Sequence, residues 1–254
     1  MFDRLLFPLT DNADVINMLC MLYVAFGVIT AICLLGGIKA QYGRYNGGAL
    51  NKNFVLNPKL SWFLQEIPSL AFPVFFVFKY SFLDKQIILG LFRALIYPIN
   101  IKSGRPVPFE IFFAAFTFCV VNGYLQGNTH LFSIYYPSDH FFKLSTLFGI
   151  VLFGVGFFIN LQADSILRNL RKPKDDSYKI PTGGLFDYVS GANYFGEIIE
   201  WIGFVFIAGS TSSLAFAFFT LCNVGPRAIQ HHNWYKKTFE DYPVDRKALI
   251  PFLI

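Results

Sequence analysis

Long apolar stretches separated by short polar connections dominate the pattern along the chain. A helix needs about 20 apolar residues to cross a bilayer, so stretches of this length with few charges predict membrane-spanning helices. The run Gly209-Ser210-Thr211-Ser212-Ser213 is a turn signal that divides the last stretch into two helices. Seven spans follow: Val15–Ile38, Leu60–Phe78, Phe82–Tyr97, a span from Ile111 to about Gly127, Leu144–Ala163, a helix from about Tyr194 and a helix ending near Pro226.

Composition and charge agree with this pattern. Hydrophobic residues make up 54% of the 254 positions and charged residues 15%, whereas a soluble domain carries about 25% charged residues. Most of the 21 lysines and arginines fall in the loops after the first, third and fifth spans and in the C-terminal segment. Positive residues collect on the cytoplasmic side, so the C-terminus is predicted there. The chain is therefore predicted to be an all-α integral membrane protein forming one transmembrane domain over residues 1–254.

The remaining composition limits the kinds of partner and site that we expect. The net charge of +5 follows from the topology and needs no nucleic-acid partner. The four cysteines lie far apart in apolar runs, without the spacing of a zinc site or a disulfide framework. No metal site is predicted, and the predicted partners are the lipid bilayer and a small ligand, with no obligate protein partner.

Three groups of polar residues recur at helical spacing at the cytoplasmic ends of the fifth, sixth and seventh spans. Residues three or four apart share one face of a helix. Solvated helix ends explain many such residues. Arginines, amides, tyrosines and carboxylates on three successive helices are also suited to binding an anionic ligand such as a nucleotide. The groups, called polar stripes below, are Asn160, Asp164, Arg168 and Arg171; Asn193, Glu197 and Glu200; and Arg227, His231 and Tyr235.

Glu66 stands out because it lies inside a predicted span, four residues after Trp62. A charged carboxylate is costly within a membrane, and ionisable residues there are functional candidates. One interpretation is structural: a protonated Glu66 bonded to a backbone carbonyl that Pro68 leaves without its helical partner. The other is that the neutral acid donates a hydrogen bond to a ligand carbonyl, as a protonated aspartic acid does in ketosteroid isomerase.

Several motifs are similar to those of the steroid 5-alpha-reductases. The similarity extends from about Trp62 to the end of the chain. Its motifs are Trp62–Pro68, Asn160-Leu-Gln-Ala-Asp164, Arg168-Asn-Leu-Arg171-Lys-Pro173, Tyr178-Lys-Ile-Pro-Thr-Gly-Gly-Leu-Phe186, Asn193-Tyr-Phe-Gly-Glu197-Ile-Ile-Glu200-Trp201, His231-His-Asn-Trp-Tyr235, Tyr242-Pro243, Arg246-Lys247 and Ile250-Pro251-Phe252.

The resemblance implies an enzyme of the endoplasmic reticulum membrane with seven helices, whose cytoplasmic loops cap an NADPH cavity and whose reductase core covers approximately residues 110–254. It implies reduction of the C4–C5 double bond of a 3-oxo-Δ4-steroid, with Glu66 as the catalytic residue that binds the 3-oxo group. The implied steroid-pocket walls are Trp62, Phe118, Trp201 and Phe219. The implied cofactor residues are Asn160, Asp164, Arg171, Tyr178, Asn193, Glu197, Arg227, His231 and Tyr235, together with Arg105 and Arg93.

The third predicted span departs from the family pattern. Family members continue its Leu-Phe with a run that contains a His-Tyr-x-His element, whereas Leu91-Phe92 here continues directly into Arg93. The absent run is about six residues, or about 9 Å of helix, and it holds the tyrosine that partners the catalytic glutamate in the family. The absent run leaves a catalytically impaired isoform as one alternative to steroid reduction. Reduction of another enone or enoyl lipid is a second, because the pocket walls could accept other substrates, and a lipid methyltransferase with a similar membrane core is a third.

Overall fold

The computed structural model describes residues 13–39, 45, 55–80, 107–170 and 178–254, without the side chains of residues 70, 72–80 and 131–132. The described part is mostly helical, as predicted. Its long helices are α1 (Ala13–Leu35), α2 (Pro58–Tyr80), α3 (Phe109–Asn128), α4 (Leu144–Leu170), α5 (Ala192–Ala208) and α6 (Thr211–Thr238). Two short strands, β1 (Val55–Leu56) and β2 (Val107–Pro108), precede α2 and α3.

Three of these helices, α1, α3 and α4, are long and apolar enough to cross a membrane. Many of their large apolar side chains are exposed, including Phe26 on α1 and Phe158 on α4, which is what a lipid-facing surface requires. The prediction of a helical membrane protein is confirmed at this level. The count of seven spans stays a prediction, because Phe82–Tyr97 lies outside the described residues.

The chain divides into two compact units. The first comprises Met1–Ile16 and Lys39–Tyr135, and the second comprises Asn17–Ile38 and Tyr136–Ile254. Helices α2 and α3 belong to the first unit. Helices α4, α5, α6 and most of α1 belong to the second.

In the first unit, the two strands fix the starting points of α2 and α3. They pair antiparallel, with Val55 opposite Pro108. The Asn57 side chain then accepts hydrogen bonds from the backbone N–H groups of Lys59 (2.9 Å) and Leu60 (3.3 Å). This is the arrangement of a helix N-cap, and Pro58 occupies the first helical position, where a proline is well tolerated. Helix α2 packs against α3.

In the second unit, α4 and α5 cross in close contact along glycines spaced by seven residues. A Cβ atom added to Gly149 would lie 2.7 Å from the carbonyl oxygen of Gly203, and one added to Gly196 would lie 2.9 Å from the carbonyl oxygen of Gly156. The pairing of an early α4 residue with a late α5 residue shows that the helices run antiparallel. Small residues at such a seam let two backbones approach within a membrane.

The predicted turn between α5 and α6 is confirmed. Helix α5 ends at Gly209, whose positive φ of 58° suits glycine, and Ser210 caps α6 by accepting a hydrogen bond from the Ser213 N–H at 3.1 Å. Helix α6 continues to Thr238, past the end of the predicted apolar span at Pro226, as the helical spacing of the third stripe predicted. The apolar run ends at this proline, but the polar residues after it continue the helical spacing.

Helix α1 lies beside α6 and runs in the same direction. Gly27 of α1 lies beside the Phe219 backbone, and the Gln230 side chain of α6 donates hydrogen bonds to the carbonyls of Leu34 (2.6 Å) and Ile38 (2.9 Å). The first and seventh spans of a seven-helix protein run in the same direction, so this packing agrees with the predicted topology for those two helices.

The C-terminal segment returns to the start of α5. Ser190 and Gly191 donate backbone hydrogen bonds to the carbonyls of Lys247 (2.8 Å) and Ala248 (3.0 Å). Val189 and Lys247 form a parallel bridge. The segment after α6 is therefore fixed next to the polar residues that enter α5.

Candidate functional site

The first and second polar stripes meet where α4 crosses α5. The Asn160 side-chain amide donates a hydrogen bond of 3.2 Å to the carbonyl oxygen of Asn193. A Cβ atom on Gly196 would lie 2.7 Å from the backbone nitrogen of Asn160, so the close approach that allows this bond depends on the glycine seam. Both asparagines are half-buried, which leaves part of each side chain accessible to a ligand.

The carboxylates of these stripes differ in exposure. Asp164 and Glu197, each one helical turn beyond the asparagine of its stripe, are half-buried. Glu200 is only 1% exposed and lies at the glycine seam, where its backbone contacts Gly156. Asp164 and Glu197 are therefore placed to meet a polar ligand, whereas Glu200 belongs to the packed helix interface.

The third stripe is linked to the second by one ring contact, which is made by Tyr194, the residue after Asn193. The rings of Tyr194 on α5 and His231 on α6 lie 5.4 Å apart between centroids. Arg227 and His231 are half-buried, while Tyr235 is 3% exposed. Through the Asn160–Asn193 bond and the Tyr194–His231 contact, the structure thus links the three stripes within the second unit.

Tyr178 belongs to the same region although it lies in the loop before α5. Its ring packs edge-on against Trp234 with centroids 5.3 Å apart, and Trp234 in turn packs against Tyr235 at 5.3 Å. Trp234 carries none of the predicted roles. Its position in the sequence between His231 and Tyr235 was the only signal for it.

The sequence prediction also missed a hydrogen-bonded cluster that adjoins His231 and Tyr235 of the third stripe. Ser190 Oγ lies 2.7 Å from His232 Nδ1 and 2.6 Å from the Tyr242 hydroxyl. Arg246 lies over the Tyr242 ring, 5.3 Å from its centroid, and donates a 3.0 Å hydrogen bond to the Pro181 carbonyl. His232, Tyr242 and Arg246 all occur in motifs quoted above, but sequence spacing alone gave them no role.

The surroundings of His232 favour its neutral form. Burial lowers the pKa of its imidazole, and the nearby positive charges of Lys236, Arg246 and Lys247 lower that pKa further. Both effects disfavour the protonated ring.

Glu66 lies in the first unit. The Cys119 thiol of α3 approaches its Oε2 at 3.9 Å as a weak donor, and Trp62, one turn earlier on α2, is half-buried like Glu66. Phe118 precedes Cys119 on α3 and is also half-buried. The two expected pocket walls of this unit therefore lie on the same pair of helices as the carboxyl.

A polar ladder, missed by the sequence prediction, extends from near this point along α3 and into the π-helical turn Thr129–Ser133 that continues it. Gln126 donates to the Asn122 side chain at 3.3 Å, and a His130 ring nitrogen lies 3.2 Å from the Gln126 side-chain oxygen. Cys119, Asn122, Gln126 and His130 follow one another by three or four residues and so share a face of the helix. Spacing of this kind within an apolar run is a signal that a search for charged residues misses.

The other two expected pocket walls belong to the second unit. Trp201 is 8% exposed. The centroid of its ring lies 4.6 Å from the centroid of the Phe216 ring and 5.9 Å from the centroid of the Phe204 ring. Phe219 is half-buried, with its ring 5.6 Å from that of Tyr23 on α1. Both residues pack against other aromatic side chains within this unit.

The remaining predictions fall outside the described residues or concern metals. Arg93, Arg105 and Arg171 are not described, and neither is the junction of Phe92 with Arg93. Among the described residues, no three His, Cys, Asp or Glu side chains cluster as metal ligands.

Comparison with known proteins gives one consistent result. The profile of the family described as "3-oxo-5-alpha-steroid 4-dehydrogenase" matches residues 105–254. The chain is 42% identical over 243 residues to the Mus musculus "3-oxo-5-alpha-steroid 4-dehydrogenase 1", covering 91% of this chain and 93% of that protein. It is 42% identical over 233 residues to the Homo sapiens "3-oxo-5-alpha-steroid 4-dehydrogenase 2", covering 88% of this chain and 91% of that protein.

Proposed function

The chain belongs to the 3-oxo-5-alpha-steroid 4-dehydrogenase family, and on this premise we propose that it reduces the C4–C5 double bond of 3-oxo-Δ4-steroids, such as testosterone or progesterone, with NADPH. The observation that carries the proposal is the meeting of the three polar stripes in one unit, through the Asn160–Asn193 bond and the Tyr194–His231 contact. Side chains of this chemistry suit a dinucleotide with phosphate groups.

The donors and acceptors in the second unit fit this cofactor. The guanidinium of Arg227 and the ring of His231 offer N–H groups to phosphate, and an arginine suits a phosphate group in both charge and shape. Asn223, one turn before Arg227 on α6, has a buried side-chain oxygen without a hydrogen-bond partner among the described residues. A carboxamide N–H, such as that of nicotinamide, would satisfy this acceptor.

The other cofactor residues of the proposal complete the same set. Asn160 and Asn193 supply amide groups, and Tyr178 and Tyr235 supply hydroxyls. The carboxylates Asp164 and Glu197 would accept hydrogen bonds from ribose hydroxyls or fix the arginines. Arg93, Arg105 and Arg171 add positive charge by their motifs in the sequence.

Glu66 is the proposed catalytic residue. A neutral carboxyl donates a hydrogen bond to the 3-oxo group, draws electron density from the enone and makes C5 electrophilic. Bound NADPH would supply the hydride for C5 and water would supply the proton for C4, so that the product would gain two hydrogen atoms in total. A donor directed at the developing enolate oxygen stabilises the transition state more than the ground state.

The proposed setting is the endoplasmic reticulum membrane, with the C-terminus and the cofactor loops in the cytoplasm. Trp62, Phe118, Trp201 and Phe219 are the proposed apolar walls of the steroid pocket. A steroid dissolves in the bilayer, so an apolar pocket on lipid-embedded helices suits this substrate class. The proposed single domain covers residues 1–254, with a reductase core of approximately 110–254.

The test is turnover by membranes that contain the full chain. Incubation with NADPH and testosterone or progesterone should give the 5α-reduced product, identified by chromatography against authentic standards. Membranes without the protein are the control. A panel of other enone and enoyl lipids measures the alternative substrate class, because a preference for one of those lipids over both steroids would replace the steroid assignment.

A catalytically impaired isoform is the second candidate, and the direct junction of Phe92 with Arg93 favours it. It predicts NADPH binding without product from any member of the panel. Insertion of a family-like run containing His-Tyr-x-His between these residues should then create activity. Turnover by the unmodified chain at a rate equal to that of the inserted variant would exclude this candidate.

A further inference from the structure

Ser190 is the centre of a hydrogen-bonded cluster that joins three separate segments of the second unit. Its hydroxyl lies 2.7 Å from His232 Nδ1 on α6, 2.6 Å from the Tyr242 hydroxyl after α6, and 3.2 Å from the Lys247 carbonyl. One assignment of protons satisfies all three contacts: Tyr242 and His232 Nδ1–H both donate to Ser190 Oγ, and Ser190 donates to the Lys247 carbonyl. A serine hydroxyl can accept two hydrogen bonds and donate one.

The polar atoms of Ser190, His232 Nδ1 and Tyr242 bond to one another, which separates this cluster from the groups proposed to bind the ligand directly. Ser190 is 4% exposed and Tyr242 is 7% exposed. Neither has a part in the chemistry proposed above. Removal of a buried partner leaves the other groups unsatisfied, so such a cluster holds its segments in fixed relative positions.

Each member of the cluster lies next to a residue of the proposed cofactor site. Tyr242 stacks on Tyr235, with ring centroids 5.4 Å apart and planes at 9°. His232 directly follows His231 on α6, and Ser190 lies three residues before Asn193 at the entry of α5. A displacement of the cluster would therefore change the positions of residues from two polar stripes at once.

We propose that Ser190, His232 and Tyr242 form a positioning centre that holds Tyr235, His231 and Asn193 in the arrangement required to bind NADPH. This inference rests on the proposed function and adds to it three residues that act through others. The centre contributes to cofactor affinity, whereas the chemical step depends on Glu66 in the other unit.

Two variants remove the cluster's hydroxyls with little change in packing. Tyr242→Phe deletes one oxygen and keeps the ring that stacks on Tyr235, and Ser190→Ala deletes the central oxygen. The matched control is Tyr188→Phe, because Tyr188 lies in the same segment as Ser190 but is 49% exposed. Ser190→Thr is the conservative variant that retains a hydroxyl.

The measurements use the full chain in membranes or detergent: the Kd for NADPH from quenching of tryptophan fluorescence, kcat at saturating NADPH, the steroid KM and the melting temperature without ligand. Tyr242→Phe and Ser190→Ala should each raise the Kd about tenfold, since a lost buried hydrogen bond has about this effect. The double variant should raise the Kd little beyond either single variant, because both changes break the same cluster. In these variants, kcat at saturating NADPH and the steroid KM should stay within about twofold of the native values. In Tyr188→Phe, the Kd for NADPH should also stay within about twofold of the native value. Ser190→Thr should restore most of the affinity.

Three results would contradict the proposal that these residues form a positioning centre. The first is an unchanged Kd in Tyr242→Phe and Ser190→Ala while the native chain binds NADPH. The second is a fall in kcat at saturation as large as the loss of affinity, and the third is additive effects in the double variant. If Ser190→Ala fails to fold, the nearly isosteric Tyr242→Phe decides the question alone. A native chain that binds no NADPH would overturn the proposed function itself, which separates the two failures.

Discussion

The two units of the molecule hold their candidate functional groups in different ways. In the first, the Glu66 carboxyl lies 3.9 Å from a cysteine thiol, a weak donor. In the second, hydrogen bonds of 2.6 to 3.2 Å connect Ser190, Tyr242 and Asn160 to side chains and carbonyls of neighbouring segments. An acid that donates to a substrate carbonyl has to keep its proton, whereas a site for a large charged cofactor needs several segments fixed together. The contrast distinguishes the part proposed to be catalytic from the part proposed to bind the cofactor, called the catalytic part and the binding part, and each prediction tests one of them.

The largest expected effect is on the catalytic part. Glu66→Gln replaces the carboxyl by an amide, which is a weaker hydrogen-bond donor toward a developing enolate. Turnover should fall by about 10²–10³-fold, as for removal of a comparable donor to an oxyanion, while the Kd for NADPH stays unchanged. Steroid reduction and NADPH binding are measured on the same membranes. The control is Glu110→Gln, which changes an exposed carboxylate on α3. Native turnover in Glu66→Gln would rule out the donor role.

The second effect tests the binding part. Arg227→Ala removes a charged donor of the third stripe, and the loss should weaken NADPH binding by about 10–100-fold, in line with hydrogen bonds to charged groups. At saturating NADPH, kcat should stay close to its native value. Lys237→Ala, an exposed cation near the end of α6, is the control for net charge. Equal losses of affinity in both variants would show that only the overall charge matters.

The third effect tests how the binding part is assembled. Gly196→Ala places a methyl group 2.7 Å from the backbone nitrogen of Asn160, and overpacking of this kind costs about 1–3 kcal/mol. The melting temperature should fall, and NADPH binding should weaken because the Asn160–Asn193 bond depends on the same seam. Gly154→Ala is the matched control on α4, since a Cβ there has nothing within 4 Å. Equal melting temperatures in the two variants would contradict the close-packed seam.

Local spacing predicted the helices and the stripes, and non-local contacts explain what it left out. The i, i+4 pattern was enough to place Asn160 and Asp164 on one helix face, and the serine-rich turn was enough to separate α5 from α6. The Ser190 cluster joins residues 42 and 52 positions apart, and no local periodicity links a loop serine to a tyrosine after another helix. The ladder of Asn122, Gln126 and His130 was missed because its groups are uncharged, although its spacing is visible in the sequence.

The smallest effect concerns pH and the cluster that adjoins the third stripe. His232 faces Ser190 and Tyr242, with Lys236, Arg246 and Lys247 nearby, and burial together with these cations lowers its pKa below the ordinary value of 6.5. In the unfolded chain the imidazole regains its ordinary pKa, so below about pH 6.5 the unfolded state binds more protons than the folded state. The contribution of His232 to stability is therefore complete above this pH and is lost as the pH falls through the folded-state pKa. Thermal melting in detergent between pH 5 and pH 8 should show this decline, and His232→Gln, which keeps a polar side chain without the titration, should flatten it. An identical pH profile in the native chain and in His232→Gln would show that protonation at this site does not oppose folding.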